Sequence, residues 1–121
     1  MTHRERLRCA GILFCHCLRN IAFYHSWDKS GKPFSKDQFW INVNGNFLDI
    51  AVLEWCKLFA DTRGKHQYGK VVADSAEFLT YALRCLNITT AEFDAYVESM
   101  KKYRNNMRQR SLCHVSLTCL R

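Results

Sequence analysis

The stretch Leu48-Asp49-Ile50-Ala51-Val52-Leu53-Glu54-Trp55-Cys56-Lys57-Leu58-Phe59-Ala60-Asp61 decides the fold. Within it and just ahead of it, Trp40, Phe47, Ala51, Trp55 and Leu58 recur at spacings of three, four and seven, one face of a helix. Phe39, Val43, Ile50 and Leu53 lie beside that face and widen it. A helix with so broad an apolar face needs partners on more than one side, so a central helix is expected from about Lys36 to Ala60. Asn44-Gly45 is its weak spot.

Outward from this segment the clearest local signals are four capping boxes, each a small polar residue followed three places later by Glu or Gln. They are Thr2 with Glu5, Ser35 with Gln38, Asp74 with Glu77, and Thr89 with Glu92. Each opens an apolar-periodic run and together they predict four helices. The first spans about Arg4 to Tyr24, with Leu7, Gly11, Phe14, Leu18 and Ile21 as its apolar stripe. The third spans about Ser75 to Leu86, with Phe78, Leu79, Ala82 and Leu86 inward. The fourth starts near Thr90 and carries Phe93, Val97, Met100, Arg104 and Met107 in one row. The segments Ser26–Phe34 and Thr62–Ala73 hold glycines or proline and read as connections. No strand pattern or internal repeat competes. The expected architecture is all-α, an up-down four-helix bundle over residues 1–108 with a basic, poorly structured tail over 109–121.

The 121-residue chain is one domain, and its single proline and five glycines leave few breakers of helix. Its net charge of +7 is unevenly placed. Residues 1–100 carry 12 basic and 11 acidic side chains, whereas 101–121 add Lys101, Lys102, Arg104, Arg108, Arg110 and Arg121 without an acid. The body is close to neutral and the tail attracts polyanions, which by itself specifies none of them.

Seven cysteines without a C-x-x-C pair read as small thiols in a reducing compartment. Cys15-His16-Cys17 resembles a metal cluster, but adjacent helical side chains diverge by about 100° and cannot meet at one ion. No metal or cofactor is expected. Arg4, Arg6 and Arg8 precede an apolar run from Cys9 to Leu18, as in a secretory signal, but His16 interrupts it and the helical period continues through Arg19. A cytoplasmic protein with no membrane segment is expected.

Arg104 lies in the apolar row of the fourth helix, where a guanidinium needs a partner, a function or a route to water. Glu54 and Asp61 share a face of the second helix and are the carboxylates available to an inward arginine. Arginine and histidine together suit a phosphodiester, one stabilising charge on phosphorus and the other moving protons near neutral pH. Arg19…His25 and Arg108…His114 both have five residues between arginine and histidine.

Leu18-Arg19-Asn20-Ile21-Ala22-Phe23-Tyr24, Phe39-Trp40, the segment Leu48–Asp61 and Tyr103-Arg104-Asn105, in a four-helix order, resemble the HEPN superfamily. More narrowly they resemble the HEPN-like proteins of bacterial abortive-infection and toxin–antitoxin loci. The resemblance covers roughly residues 5–106. It implies an all-α bundle that often dimerises and, in active members, a metal-independent RNase. It places Arg104 and Asn105 at the family's motif. Six residues on from Arg104, with five between, where that motif has histidine, this chain has Arg110, and His114 is ten residues on. The expected catalytic candidates are therefore Arg104, Asn105, His114, Arg19 and His25, with Lys101, Lys102, Arg108 and Arg110 as RNA-binding candidates and Glu54 and Asp61 in support. Three readings compete: an RNA-binding or RNA-cleaving defence protein, a catalytically inactive dimerisation or partner-binding module, and a non-specific nucleic-acid binder driven by the tail. The implied partners are a second copy of the chain, RNA, and an antitoxin or defence protein.

Overall fold

The structure is a computed structural model that describes residues 1–29 and 36–118, with side chains over 1–27 and 36–107. Among the described residues the chain is helical without a strand: α1 (His3–Lys29), α2 (Gln38–Trp55) running into a π turn (Cys56–Ala60), a single turn α3 (Tyr68–Val71), α4 (Ser75–Leu86) and α5 (Thr90–Thr118).

The local chemistry of the helix starts explains most of these bounds. Glu5 N–H donates to Thr2 Oγ1 and Glu5 Oε2 accepts from Thr2 N–H, closing the first capping box at 3.2 and 2.7 Å. Thr89 and Glu92 form the same reciprocal pair at 3.2 and 2.6 Å. Asp74 accepts from Glu77 N–H at the start of α4. The helix α2 does not start at the position that the Ser35–Gln38 box implied. Asp37 is the cap instead, accepting from Phe39 N–H, while Gln38 Nε2 donates forward to Asn42. Asp37, which immediately precedes the first turn, reaches a free N–H of that turn directly. Ser35 itself lies outside the described residues. At its other end, α4 stops on Asn87, whose φ of 55° is the left-handed geometry that asparagine tolerates, and Ile88 N–H returns to Leu83 O.

The helix α2 is central, as its broad face predicts. α1 packs along it, and α5 packs on its second half and on the π turn. α3 bridges α1 to α4. The innermost cluster is Val52, Cys56 and Ala60, with Leu48 and Trp55 from the same rod and Val97, Met100, Tyr103 and Met107 from α5 against it. Cys56 is fully buried. A chain of ring contacts, Trp55 to Tyr96 and Phe59, then Phe59 to Tyr68 and Tyr68 to Phe78, carries packing from α5 through the π turn to α3 and α4.

Several expected core positions are elsewhere. The α1 stripe is exposed, with Leu7 at 55%, Phe14 at 50% and Leu18 at 52%. The inward face is Arg6, Ala10, Leu13, Cys17, Asn20 and Tyr24, also at helical spacing. Small side chains let α2 come close there: the Cys17 thiol meets Ala51 O at 3.5 Å, and Asn20 Nδ2 is satisfied by His16 O. On α2, Ala51 and Leu58 are buried and Phe47 and Trp55 half-buried, but Trp40, Phe39, Ile50 and Leu53 are exposed. On α4 the buried residue is Leu83, and Phe78 and Leu86 are exposed, because little besides α3 covers that helix. The helix α5 continues to Thr118, past Gln109 where the unstructured tail was expected to begin.

Candidate functional site

The π turn organises the most polar part of the interior. Asp61 N–H reaches Cys56 O at 2.8 Å, five residues back, so the coil widens by one residue just before the helix ends. This sets Asp61 opposite α5, where Arg104 Nη1 donates to its Oδ1. About three turns earlier on α2, Asp49 Oδ1 accepts from Tyr103 O–H at 2.8 Å. Two consecutive residues of α5 are thus tied to two carboxylates twelve residues apart on the α2 rod. The Arg104 side chain is only 13% exposed and its Nε is buried without a partner. A guanidinium held in this way neutralises a carboxylate at the edge of the interior, and little of its own surface is left to meet a substrate.

Of the two support carboxylates, Asp61 therefore meets Arg104 and Glu54 does not. Glu54 is buried, its Oε1 3.5 Å from His16 Nδ1 and its Oε2 without a partner. The adjoining Cys17 thiol is pushed up from its ordinary pKa, by burial first and by the Glu54 charge second. That thiol is a packing group held in its protonated form, the opposite of an activated nucleophile.

The remaining candidates are not brought together. Asn105 is exposed. Arg19 and His25 are both exposed on α1, and six residues of helix put them about 120° apart around its axis. Lys101 pairs with Glu98 at 2.9 Å on α5, and Lys102 is exposed. The side chains of Arg108, Arg110 and His114 lie outside the described residues. The described cysteines, Cys9, Cys15, Cys17, Cys56 and Cys85, are not disulfide-bonded, and Cys17 and Cys56 are the buried ones. Among the described residues no three His, Cys, Asp or Glu side chains are grouped to hold a metal, and no helix is long and apolar enough to cross a membrane.

One group was absent from the sequence-derived candidates. On the side of Asp61 that faces α1 there is a cavity of about 530 Å³, lined by Cys9, Ile12 and Leu13 of α1 and by Lys57, Asp61, Gly64, Lys65 and His66. His66 Nδ1 is buried there without a hydrogen-bond partner. Its pKa is lowered by that burial first, then by the charges of Lys65 and Lys57. The signal available in the sequence was Arg63-Gly64-Lys65-His66, a basic run around a glycine directly after the central helix.

No protein-family model, curated protein or solved structure matches the chain.

Proposed function

We propose that this protein is a HEPN-like helical module that acts by binding, pairing with a second copy or a partner protein and contacting RNA, and that it does not cleave RNA. The observation that carries this reading is the Arg104–Asp61 pair. The one arginine at the family's motif position has its charge neutralised within the fold, and no described imidazole donates to it or accepts from it. A proton-transfer group must come within about 3 Å of the atom it serves.

The binding surfaces that support the reading are separate. Leu7, Phe14 and Leu18 form an exposed apolar stripe along α1, a surface suited to another helix. The basic residues of α5 from Lys101 onward offer an electrostatic footing for RNA. In this reading α1, α2, α4 and α5 make an up-down bundle, the assembly is a homodimer, and the setting is a cytoplasmic defence or toxin–antitoxin system.

The deciding experiment is incubation of purified protein with structured RNA in EDTA, beside Arg104→Ala. No cleavage by the wild type is expected, together with measurable RNA binding. Metal-independent cleavage that Arg104→Ala abolishes would refute the non-catalytic reading.

A further inference from the structure

We propose that the cavity between α1 and the loop after the π turn is a binding site for a phosphate monoester carrying an apolar group. The inference stands on the cavity alone and is independent of the RNA reading.

The size is right for a small organic ligand: about 530 Å³ falls within the range of roughly 300–1,000 Å³ found for such pockets. The lining is divided by chemistry. Ile12 and Leu13 on α1 give one wall an apolar surface, and Lys57, Lys65 and His66 border the other, with flexible lysine side chains whose ammonium groups can reach a ligand placed there. Asp61 also lines the cavity, but its charge is neutralised from behind by Arg104. Lys57 and Lys65, neither of them in an ion pair with a described residue, therefore border the space. A carboxylate needs one such charge, whereas a phosphate monoester carries about −1.5 to −2 at neutral pH and matches two. His66 lines the same cavity, and its Nδ1, which lacks a partner within the fold, becomes available to a phosphate oxygen or hydroxyl by a turn of the ring.

The backbone is built for this shape. Gly64 N–H donates to Asp61 O at 2.8 Å, folding the loop back over the end of the π turn. A Cβ on residue 64 would sit 3.0 Å from Asp61 O and 3.4 Å from Asp61 Cβ, so glycine is what allows the fold-back that brings Lys65 and His66 to face α1. The π turn at the end of the central helix sets Lys57 and Asp61 on the edge that borders the cavity.

The test is calorimetric titration of the full chain with phenyl phosphate and with inorganic phosphate. Phenyl phosphate should fill a single site, with inorganic phosphate roughly tenfold weaker because it buries no ring. Lys57→Met and Lys65→Met should each weaken phenyl phosphate by about fivefold or more, one lost charge contact apiece. Ile12→Glu, which sets a negative charge at the apolar wall, should abolish binding. All three side chains are exposed, so the variants should keep the wild-type melting temperature. In the same titration followed by NMR, the His66 imidazole resonances should move. Equal affinity for the two phosphates, unchanged affinity in the lysine variants, or a stationary His66 would each overturn the proposal. Adenosine monophosphate and a 5′-phosphorylated trinucleotide present the same chemistry from two sources. Stronger competition by the first names a free small molecule, by the second an RNA chain end.

Discussion

The guanidinium of Arg104 is held by the carboxylate of Asp61, 43 residues earlier in the chain, and this contact joins the last helix to the end of the central one. Asp61 is partly open to water and Arg104 is not, so the two partners are unequal. Removing the carboxylate strands a desolvated cation. Removing the arginine leaves a carboxylate that water reaches.

Asp61→Ala should therefore destabilise the fold by about 1–3 kcal/mol, discounted from fully buried pairs for the exposure of Asp61. Arg104→Met, which keeps most of the packing, should cost clearly less. Urea denaturation of both single variants and the double variant gives the coupling. Costs that simply add would show that the contact contributes nothing to stability.

Trp55 and Trp40 both lie on the apolar face of α2, but the structure separates them. Trp55 is half-buried and in edge contact with Tyr96, whereas Trp40 is 39% exposed. Trp55→Ala should cost about 2–4 kcal/mol and Trp40→Ala about 1 kcal/mol or less. Equal losses in chemical denaturation would mean that α2 is rotated from the orientation described.

The exposed α1 stripe separates association from folding. At a dilution where the wild type is monomeric, Phe14→Glu and Leu18→Glu should leave thermal stability within about 0.5 kcal/mol of it, since both positions are exposed on the single chain. Sedimentation at higher concentration should show dimer in the wild type and monomer in the variants. A dimer that survives both substitutions would move the interface off this face.

RNA binding should be strongly salt-dependent and carried largely by the end of α5. Deleting residues 108–121 removes Arg108, Arg110 and Arg121. The slope of log affinity against log salt should fall by roughly 2, at about 0.7 per phosphate contact on a single strand. An unaltered slope would relocate the contact to the body of the protein.

The capping box at the start of α5 gives a pH signature. Hydrogen bonds from Thr89 hold the Glu92 carboxyl below its ordinary pKa. With the folded value depressed, the stabilisation is complete above the unfolded value, near 4.3, and is lost as pH falls through the folded one. The melting-temperature advantage of the wild type over Glu92→Gln at pH 7 should thus shrink steadily below about pH 4. An advantage independent of pH would mean that the carboxylate charge is not what Thr89 recognises.

What was legible in the sequence was local. Thr2, Asp74 and Thr89 mark helix starts because a cap needs only its own first turn, and Ser75–Leu86 appears where its period placed it. The row Phe93, Val97, Met100 and Arg104 faces inward as read, and Asp61 was already a candidate partner for Arg104. The buried face of α1 was not legible. Periodicity weighs Leu7, Phe14 and Leu18 above Ala10, Cys17 and Asn20, but close helix packing selects the small residues. The cavity was hidden for another reason: Cys9, Lys57 and His66 meet only after α1 is laid against the π turn.

The π turn also acts as a one-residue spacer in an otherwise regular rod. Rewinding Cys56–Ala60 as an ordinary α-helix with all its residues kept would turn everything beyond it by nearly one residue's step of about 100°. Asp61 would swing off the line of Arg104, and the Gly64 fold-back would start from the wrong azimuth. A chain rewound in this way would be more regular in its backbone and yet lose its Arg104–Asp61 ion pair and its cavity together. The irregularity is the joint through which the central helix sets the direction of both.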